Sequence, residues 1–509
     1  MDSIVRSLQL AARQYPGKTA VADRTAAYSF FQLNRAVEQL GTVLAADHPD
    51  GKPFPVGVVT DRGAAVPVLL FAVAAAGGFY VPLNPDQPAD KLEAIIEDAQ
   101  IPLVFGPASF EEALREAGYT GEYRESAASV ETALNGELEP RLLQDPEADR
   151  PLYLIYTSGS TGKPKGVLKS HGSVRSFIRA YLERFDFRAE DVLGNQTPFS
   201  FDASAKDLYL MLATGATLQI LPAELFSMPT DLIDYLNDRR ITVVQWVPTV
   251  LAIVSKLRTL ELVKPKDLRM VLFVGETMPV KHLNRWREAL PDVRFVNLYG
   301  ASELAGICCA YEVKGTFDDD ETLPLGTALS NCRLYPVSGG AVVTEPGVVG
   351  ELFLQSDALA LEYYHDAART AASFTVRDLG DGPARTFRTG DLVQLDEAGN
   401  MRFVSRADSQ FKHLGYRIEA GEIETAAGAI EGISRCCCLY DEKKLRILLV
   451  CETSGEQTLT GRDLTDQLKK KLPYYMVPGK VVFLDAMPIG TNGKVDRQRL
   501  KRELLPAKG

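Results

Sequence analysis

The stretch Tyr153-Leu154-Ile155-Tyr156-Thr157-Ser158-Gly159-Ser160-Thr161-Gly162-Lys163-Pro164-Lys165-Gly166 sets the tightest limit on what this chain can fold into. Its first four residues are apolar and β-prone, and read as a buried strand. The ten that follow hold three Gly, two Lys, two Thr, two Ser and one Pro, a composition that forbids a regular element and marks an exposed loop. A strand that ends in such a loop suits a polyphosphate. Glycines let backbone N–H groups close on the anion, hydroxyls donate to it, and lysines supply charge.

The loop is not a Walker loop, because Pro164 follows Lys163 where Ser or Thr is required. Ser160-Thr161-Gly162-Lys163 formally matches Ser-x-x-Lys, but no Ser-Asp-Asn or Lys-Thr-Gly accompanies it, which sets aside a β-lactamase reading. At 509 residues the chain exceeds one compact core, so two or more domains are expected. A net charge of −11 with no basic face argues against a nucleic-acid partner. The most apolar stretch, Val66 to Gly77, is too short to span a bilayer, and the N-terminus lacks a signal pattern. A cytoplasmic protein without membrane insertion is expected. The cysteines fit: Cys308-Cys309 and Cys436-Cys437-Cys438 are contiguous, without zinc-site spacing, and the second run reads as buried strand thiols.

Along residues 1–150 helical and strand-like patterns alternate, an α/β organisation. Ile4, Leu8 and Ala11 space like a helix face; Pro55 to Val59, Phe79 to Pro82 and Leu103 to Phe105 read as strands, with an apolar helix between the first two. Residues 110–150 read as acidic and irregular. Ser173 is placed to cap a helix running to about Phe185. Asp202 stands among aromatic residues and opens a helical pattern; it is either an N-cap or a carboxylate waiting for an ammonium group. Val243 to Thr249, Met270 to Glu276 and Arg294 to Leu298 each read as a strand ending at a loop, and open parallel sheets gather ligands at such ends. Residues 409–509 read as a compact α+β tail: a helix near 420–430, strands at 434–440, 446–452 and 480–484, and a helix near 461–472.

The loop resembles the phosphate loop of the adenylate-forming enzymes, the superfamily of acyl-CoA synthetases, luciferases and peptide-synthetase adenylation domains. Further segments are similar to that family's motifs in the same order: Asn297-Leu298-Tyr299-Gly300-Ala301-Ser302-Glu303, with Ala301 for the usual Pro and Ser302 for the usual Thr; Arg388-Thr389-Gly390-Asp391; Arg406-Ala407-Asp408; Gly415 to Glu424; and Gly490-Thr491-Asn492-Gly493-Lys494. His413-Leu414 departs from the pattern. The resemblance implies a large N-terminal domain of layered sheets and helices, residues 1–407, and a small mobile α+β C-terminal domain, 408–509, hinged at Asp408. It implies ATP and Mg²⁺. The nucleotide would meet Thr157, Ser158, Gly159, Ser160, Thr161, Gly162, Lys163, Lys165, Gly275, Glu276 and Asn297. Tyr299 would stack on adenine beside Gly300, Ser302 would touch phosphate, and Glu303 would hold the metal. Asp391 would accept the ribose hydroxyls near Arg406, and Lys494 would be the mobile catalytic lysine, acting with Thr157 and Glu303.

The same resemblance favours Asp202 as an amino-group anchor, as in adenylation domains for α-amino acids. The pocket positions are then Asp202, Ala203, Lys206, Gln245, Leu272, Val274, Leu298, Gly306 and Ile307. Leu272, Val274 and Leu298 narrow the cavity towards a small substrate such as alanine or serine. A buried Lys206 wants a partner, which is a substrate carboxylate (aspartate or glutamate), Asp207 or a backbone carbonyl. The expected reaction is ATP-dependent formation of an aminoacyl-adenylate with release of pyrophosphate, then transfer to the phosphopantetheine thiol of a separate carrier protein. With little chain beyond Lys494, a freestanding adenylating enzyme is expected. An acyl-CoA synthetase using free coenzyme A is the alternative, against which Asp202 argues.

Overall fold

The computed structural model describes residues 3–136, 146–159, 163–442, 444–453, 459–489 and 495–505. These form two compact units. The first comprises Met1–Pro85, Ile96–Tyr156 and Gly166–Ala407; the second comprises Asp86–Ile95, Thr157–Lys165 and Asp408–Gly509. The chain is mixed α/β, as its alternating pattern predicts.

The first unit is built on three sheets. One is seven-stranded, in the order Glu362–Tyr363, Lys165–Ser170, Pro151–Thr157, Phe79–Leu83, Pro55–Val59, Leu103–Gly106, Glu122–Glu125. Its neighbours from Phe79–Leu83 to Glu122–Glu125 are parallel. Parallel strands need cover on both faces, and the helix Ala65–Ala75 supplies part of it. It carries no charge and is buried from Val66 to Ala75, which explains an apolar run of this length without a bilayer. Among the described residues no helix is long and apolar enough to cross a membrane.

The second sheet is nine-stranded. Its parallel centre sets Arg294–Tyr299, Met270–Val274, Val243–Trp246 and Val192–Asn195 side by side. Three of these end at Trp246, Val274 and Tyr299, so their carboxyl ends open on one edge. The register pairs Gln245 with Leu272 and Val274 with Leu298. Because side chains alternate along a strand, these four share one face of the sheet. The third sheet is antiparallel, and in it Asp391 on Pro383–Leu395 faces Arg406 on Met401–Arg406 directly. The large core cluster of this unit runs through Phe71, Tyr153, Phe177, Tyr209 and Leu298.

Three local expectations are corrected. Of residues 110–150, the described 110–136 are not irregular: a helix at Glu111–Glu116, a strand at Glu122–Glu125 and a helix at Ser126–Asn135 lie there. The first helix buries only Leu114, the strand buries none, and the last helix buries Ser126, Val130 and Ala133, so their polar outer faces hide the pattern. The helix His171–Arg184 is capped by Ser170, not Ser173. Ser173 is the reciprocal partner at the third helical position, its hydroxyl accepting from the Ser170 N–H at 3.2 Å. Val247 to Thr249 is no mere turn: a helix starts at Pro248 and runs to Lys256, with Pro in the first turn where its missing N–H costs nothing.

The second unit carries the α+β tail. A hairpin of Gln410–His413 and Tyr416–Glu419 leads into the helix Ala420–Gly428. Strands Ile433–Asp441 and Arg446–Thr453 pair antiparallel, and Lys480–Leu484 adds a parallel strand. Helices Gly461–Leu468 and Arg497–Leu504 complete it. Cys437, Leu439, Leu448, Val450, Met487 and Leu500 form its core. All seven cysteines are free; six are buried and Cys436 is half-buried. Burial pushes the Cys436 thiol up to about 11, and Cys437, Cys451 and Cys332 up to about 12.

Candidate active site

Asp202 is the centre of a buried cluster in the first unit. It begins a single 3₁₀ turn, Asp202–Ser204, ahead of the helix Ala205–Thr214, yet its side chain caps nothing. The carboxylate instead accepts from the Tyr153 hydroxyl at 2.7 Å and from the Gly306 backbone N–H. Lys169 Nζ stands 3.4 Å from its Oδ1 as an ion pair. Burial lifts the Asp202 carboxyl above its ordinary range and lowers Lys169 below its own, while the attraction between the two opposes both shifts. Tyr80 stacks on Tyr153 with ring centres 5.4 Å apart and shares a 2.6 Å hydrogen bond with Tyr209. The carboxylate is therefore held from a packed aromatic floor.

The neighbouring buried charges are answered from within the chain. Lys206 Nζ donates to the Ala203 carbonyl at 2.6 Å, with the Asp207 charge nearby. Asp207 accepts from Asn195 at 2.8 Å and Gln245 at 2.5 Å, and burial pushes it up to about 6. Gln245 Oε1 in turn accepts from the Tyr181 hydroxyl at 2.5 Å. Of the remaining pocket positions, Leu272, Leu298 and Ile307 are buried and Val274 is half-buried.

A second cluster joins motifs that are far apart in sequence. Asp391 accepts from the Tyr299 hydroxyl and, at 2.5 Å, from Arg406 Nη1, whose Nη2 donates to the Thr389 carbonyl at 3.2 Å. Burial and the Asp391 charge hold the Tyr299 hydroxyl well above its usual range. Past Gly300 and the half-buried Ser302, Glu303 is fully buried and accepts from the Tyr363 hydroxyl at 2.6 Å. Asn297 and Glu276 have local duties: Asn297 donates to the Pro324 carbonyl at 2.8 Å, and Glu276 accepts from the Thr249 hydroxyl at 2.6 Å. Gly275 sits between Val274 and Glu276 at φ +105°, a turn conformation that suits glycine.

In the second unit the described part of the loop gives a further observation. The Thr157 hydroxyl oxygen is buried and makes no hydrogen bond among the described residues. A buried hydroxyl without a partner is costly, and an oxyanion would satisfy it. Any side chain at Gly159 would meet the Lys163 carbonyl oxygen at 2.2 Å. Ser158 donates to the Arg417 carbonyl at 2.5 Å, Lys163 is exposed, and Lys165 Nζ lies 3.9 Å from Glu419. Asp408 is exposed and accepts from the Gln410 N–H at 3.1 Å. Ser160, Thr161, Gly162 and Lys494 lie outside the described residues.

Sequence reasoning passed over Lys169, Tyr153 and Tyr363 as site residues. Lys169 carries a signal in retrospect: it is a charge inside the strand Lys165–Ser170, where Gly166 to Leu168 are buried. The two tyrosines carry none, since an aromatic residue in a strand or loop reads as packing.

The geometry can be set against known proteins. Residues 8–364 match the AMP-binding enzyme family, and residues 422–494 match the AMP-binding enzyme C-terminal domain. The chain is 32% identical over 504 residues to an L-proline--[L-prolyl-carrier protein] ligase of Pseudomonas fluorescens, covering 96% of this chain and 97% of that protein. It is 29% identical to tyrocidine synthase 1 of Brevibacillus parabrevis over 99% of its own length, yet it spans less than half of that protein, 45%. Its fold follows that of an NRPS protein containing adenylation and PCP domains, bound to a vinylsulfonamide inhibitor. The TM-score there is 0.83 at 24% identity, over 99% of this chain and 84% of that one.

Proposed function

The chain belongs to the AMP-binding enzyme family, and on that premise we propose that it activates an amino acid as its aminoacyl-adenylate and loads it onto a carrier-protein thiol. The observation that carries this reading is Asp202: a buried carboxylate, held by Tyr153 and ion-paired to Lys169, while the nearby Lys206 is taken up by the Ala203 carbonyl. A carboxylate in that setting is suited to a substrate ammonium group. The prolyl-carrier ligase, which the chain matches nearly end to end, points to the same acceptor chemistry.

In the first half-reaction a substrate carboxylate oxygen bonds to the α-phosphorus of ATP, and the bond to pyrophosphate breaks. In the second, a phosphopantetheine thiol attacks the acyl carbon and AMP leaves. The Thr157 hydroxyl, without a partner among the described residues, and the close approach of Gly159 to the Lys163 carbonyl fit a phosphate chain. Glu303, already buried and hydrogen-bonded, would hold Mg²⁺, with phosphate and water oxygens as the other ligands. The metal would neutralise charge developing on the phosphate oxygens. Asp391 has lone pairs for ribose hydroxyls besides those taken by Tyr299 and Arg406. Lys494 would act on the adenylating step, with Asp408 as the joint between poses.

A small side chain, alanine or serine, is the specificity proposed. Leu272, Leu298 and Ile307, all buried, and the half-buried Val274 would limit the room for a longer side chain. An acidic substrate is disfavoured, because Lys206 has the Ala203 carbonyl as its partner.

The test is amino-acid-dependent ATP–pyrophosphate exchange across L- and D-amino acids, with Asp202→Ala and Lys494→Ala in parallel. Exchange with one small amino acid is expected, falling by about a hundredfold or more in each variant. Exchange with no amino acid would sink the reading and direct the assay to plain carboxylic acids with coenzyme A as acceptor.

A further inference from the structure

Lys169 is 0% exposed; its Nζ has the Asp202 carboxylate at 3.4 Å as ion-pair partner, a long contact, and among the described residues no other hydrogen-bond acceptor. Glu303 also acts on it electrostatically. An ammonium group carries three donors. Asp202 answers one of them at most, and burying the others without an acceptor costs more than an ordinary hydrogen bond contributes, so a ligand oxygen is the natural complement. Asp202, by contrast, already accepts from Tyr153 and Gly306.

The two charges form a fixed dipole, negative at Asp202 and positive at Lys169. An amino-acid zwitterion carries the same two charges a similar distance apart. Set head to tail, ammonium meets Asp202 and carboxylate meets Lys169, and every charge then has an opposite neighbour. A plain amine would instead crowd two cations around one carboxylate. A plain acid would satisfy Lys169 but leave Asp202 as it was.

We propose that Lys169 is a substrate-binding residue that holds the reacting carboxylate of the amino-acid zwitterion while Asp202 holds its ammonium group. The proposal rests on the amino-acid reading above and sharpens it: the site reads both ends of the zwitterion, not the ammonium alone. The carboxylate is consumed in forming the adenylate, so the contact supports substrate binding and is lost in the product.

The experiment compares wild type, Lys169→Met and Lys169→Arg, with alanine and with alaninol, its analogue lacking the carboxylate; both enantiomers of each are used. KM for alanine comes from pyrophosphate exchange, and Ki for alaninol from inhibition of that exchange. In Lys169→Met the KM for alanine is expected to rise at least tenfold while the Ki for alaninol holds or falls, because Asp202 is freed for the ammonium. Lys169→Arg should recover part of the KM. If KM and Ki fall together, Lys169 merely screens Asp202 and the proposal is wrong. If they rise together with a lower melting temperature, Lys169 is only structural support, and the proposal is again wrong. Unchanged KM in both variants overturns it too. Wild type that exchanges with no amino acid overturns the parent reading and this one with it; wild-type exchange with unchanged variants overturns this one alone.

Discussion

At the scale of single residues, His171 shows how burial sets a charge state. It opens the helix His171–Arg184, is fully buried, and neither ring nitrogen has a hydrogen-bond partner among the described residues. Burial, with Arg150 and Arg175 adding to it, lowers its pKa from 6.5 to about 3. The folded protein therefore holds it neutral where the unfolded chain takes up a proton. Its contribution to stability is complete above about pH 6.5 and is lost as pH falls towards 3. Between pH 7 and pH 5 that loss is about 2 kcal/mol. Urea unfolding at the two pH values should show wild type losing about that much more than His171→Phe; an equal loss in both would refute the assignment. Lys169 illustrates the limit of reading residues singly. Its charge was visible within an apolar strand, but only the fold brings Asp202, more than thirty positions away, against it. The link between Asp391 and Arg406 was hidden in the same way. Each stood in a legible motif, while their contact depends on cross-strand register.

At the scale of elements, short stretches with strong apolar character were legible, and those with charged outer faces were not. Pro55–Val59, Met270–Val274 and Lys480–Leu484 fall where β-prone runs place them. The elements between 111 and 135 escaped because each buries few side chains and shows solvent a polar face. The helix Ala205–Thr214, which carries Lys206 and Asp207, depends on a termination that can be tested. Gly215 ends it at φ +74°, and any Cβ there would lie 2.3 Å from the Tyr15 ring. Gly215→Ala should cost about 1–3 kcal/mol from the backbone alone, with the collision added. Gly315 has φ +77° and nothing within 4 Å of its missing Cβ, so Gly315→Ala measures the backbone term by itself. Thermal melts should rank the Gly215 variant clearly below the Gly315 variant. Equal losses would mean that Tyr15 gives way freely.

At the scale of the whole molecule, the last of the chain's passages between the two compact units falls between Ala407 and Asp408, and the proposed joint can be stiffened there. Proline fixes φ near −65° and restricts the residue before it. If one active site serves two half-reactions through two poses, Asp408→Pro should change the ratio of pyrophosphate exchange to carrier loading by about tenfold or more, with the melting temperature little altered. An unchanged ratio would refute Asp408 as the joint. The cysteines bear on how that loading is measured. The acceptor in the proposed reaction is a thiol, and a thiol reacts through its thiolate. Six of this protein's own cysteine thiols are buried and the seventh is half-hidden, with most held protonated far above neutral pH. The wild-type protein therefore enters a thiol-trapping assay almost without background, and the disappearance of the carrier's phosphopantetheine thiol can be followed with no cysteine removed from this protein beforehand.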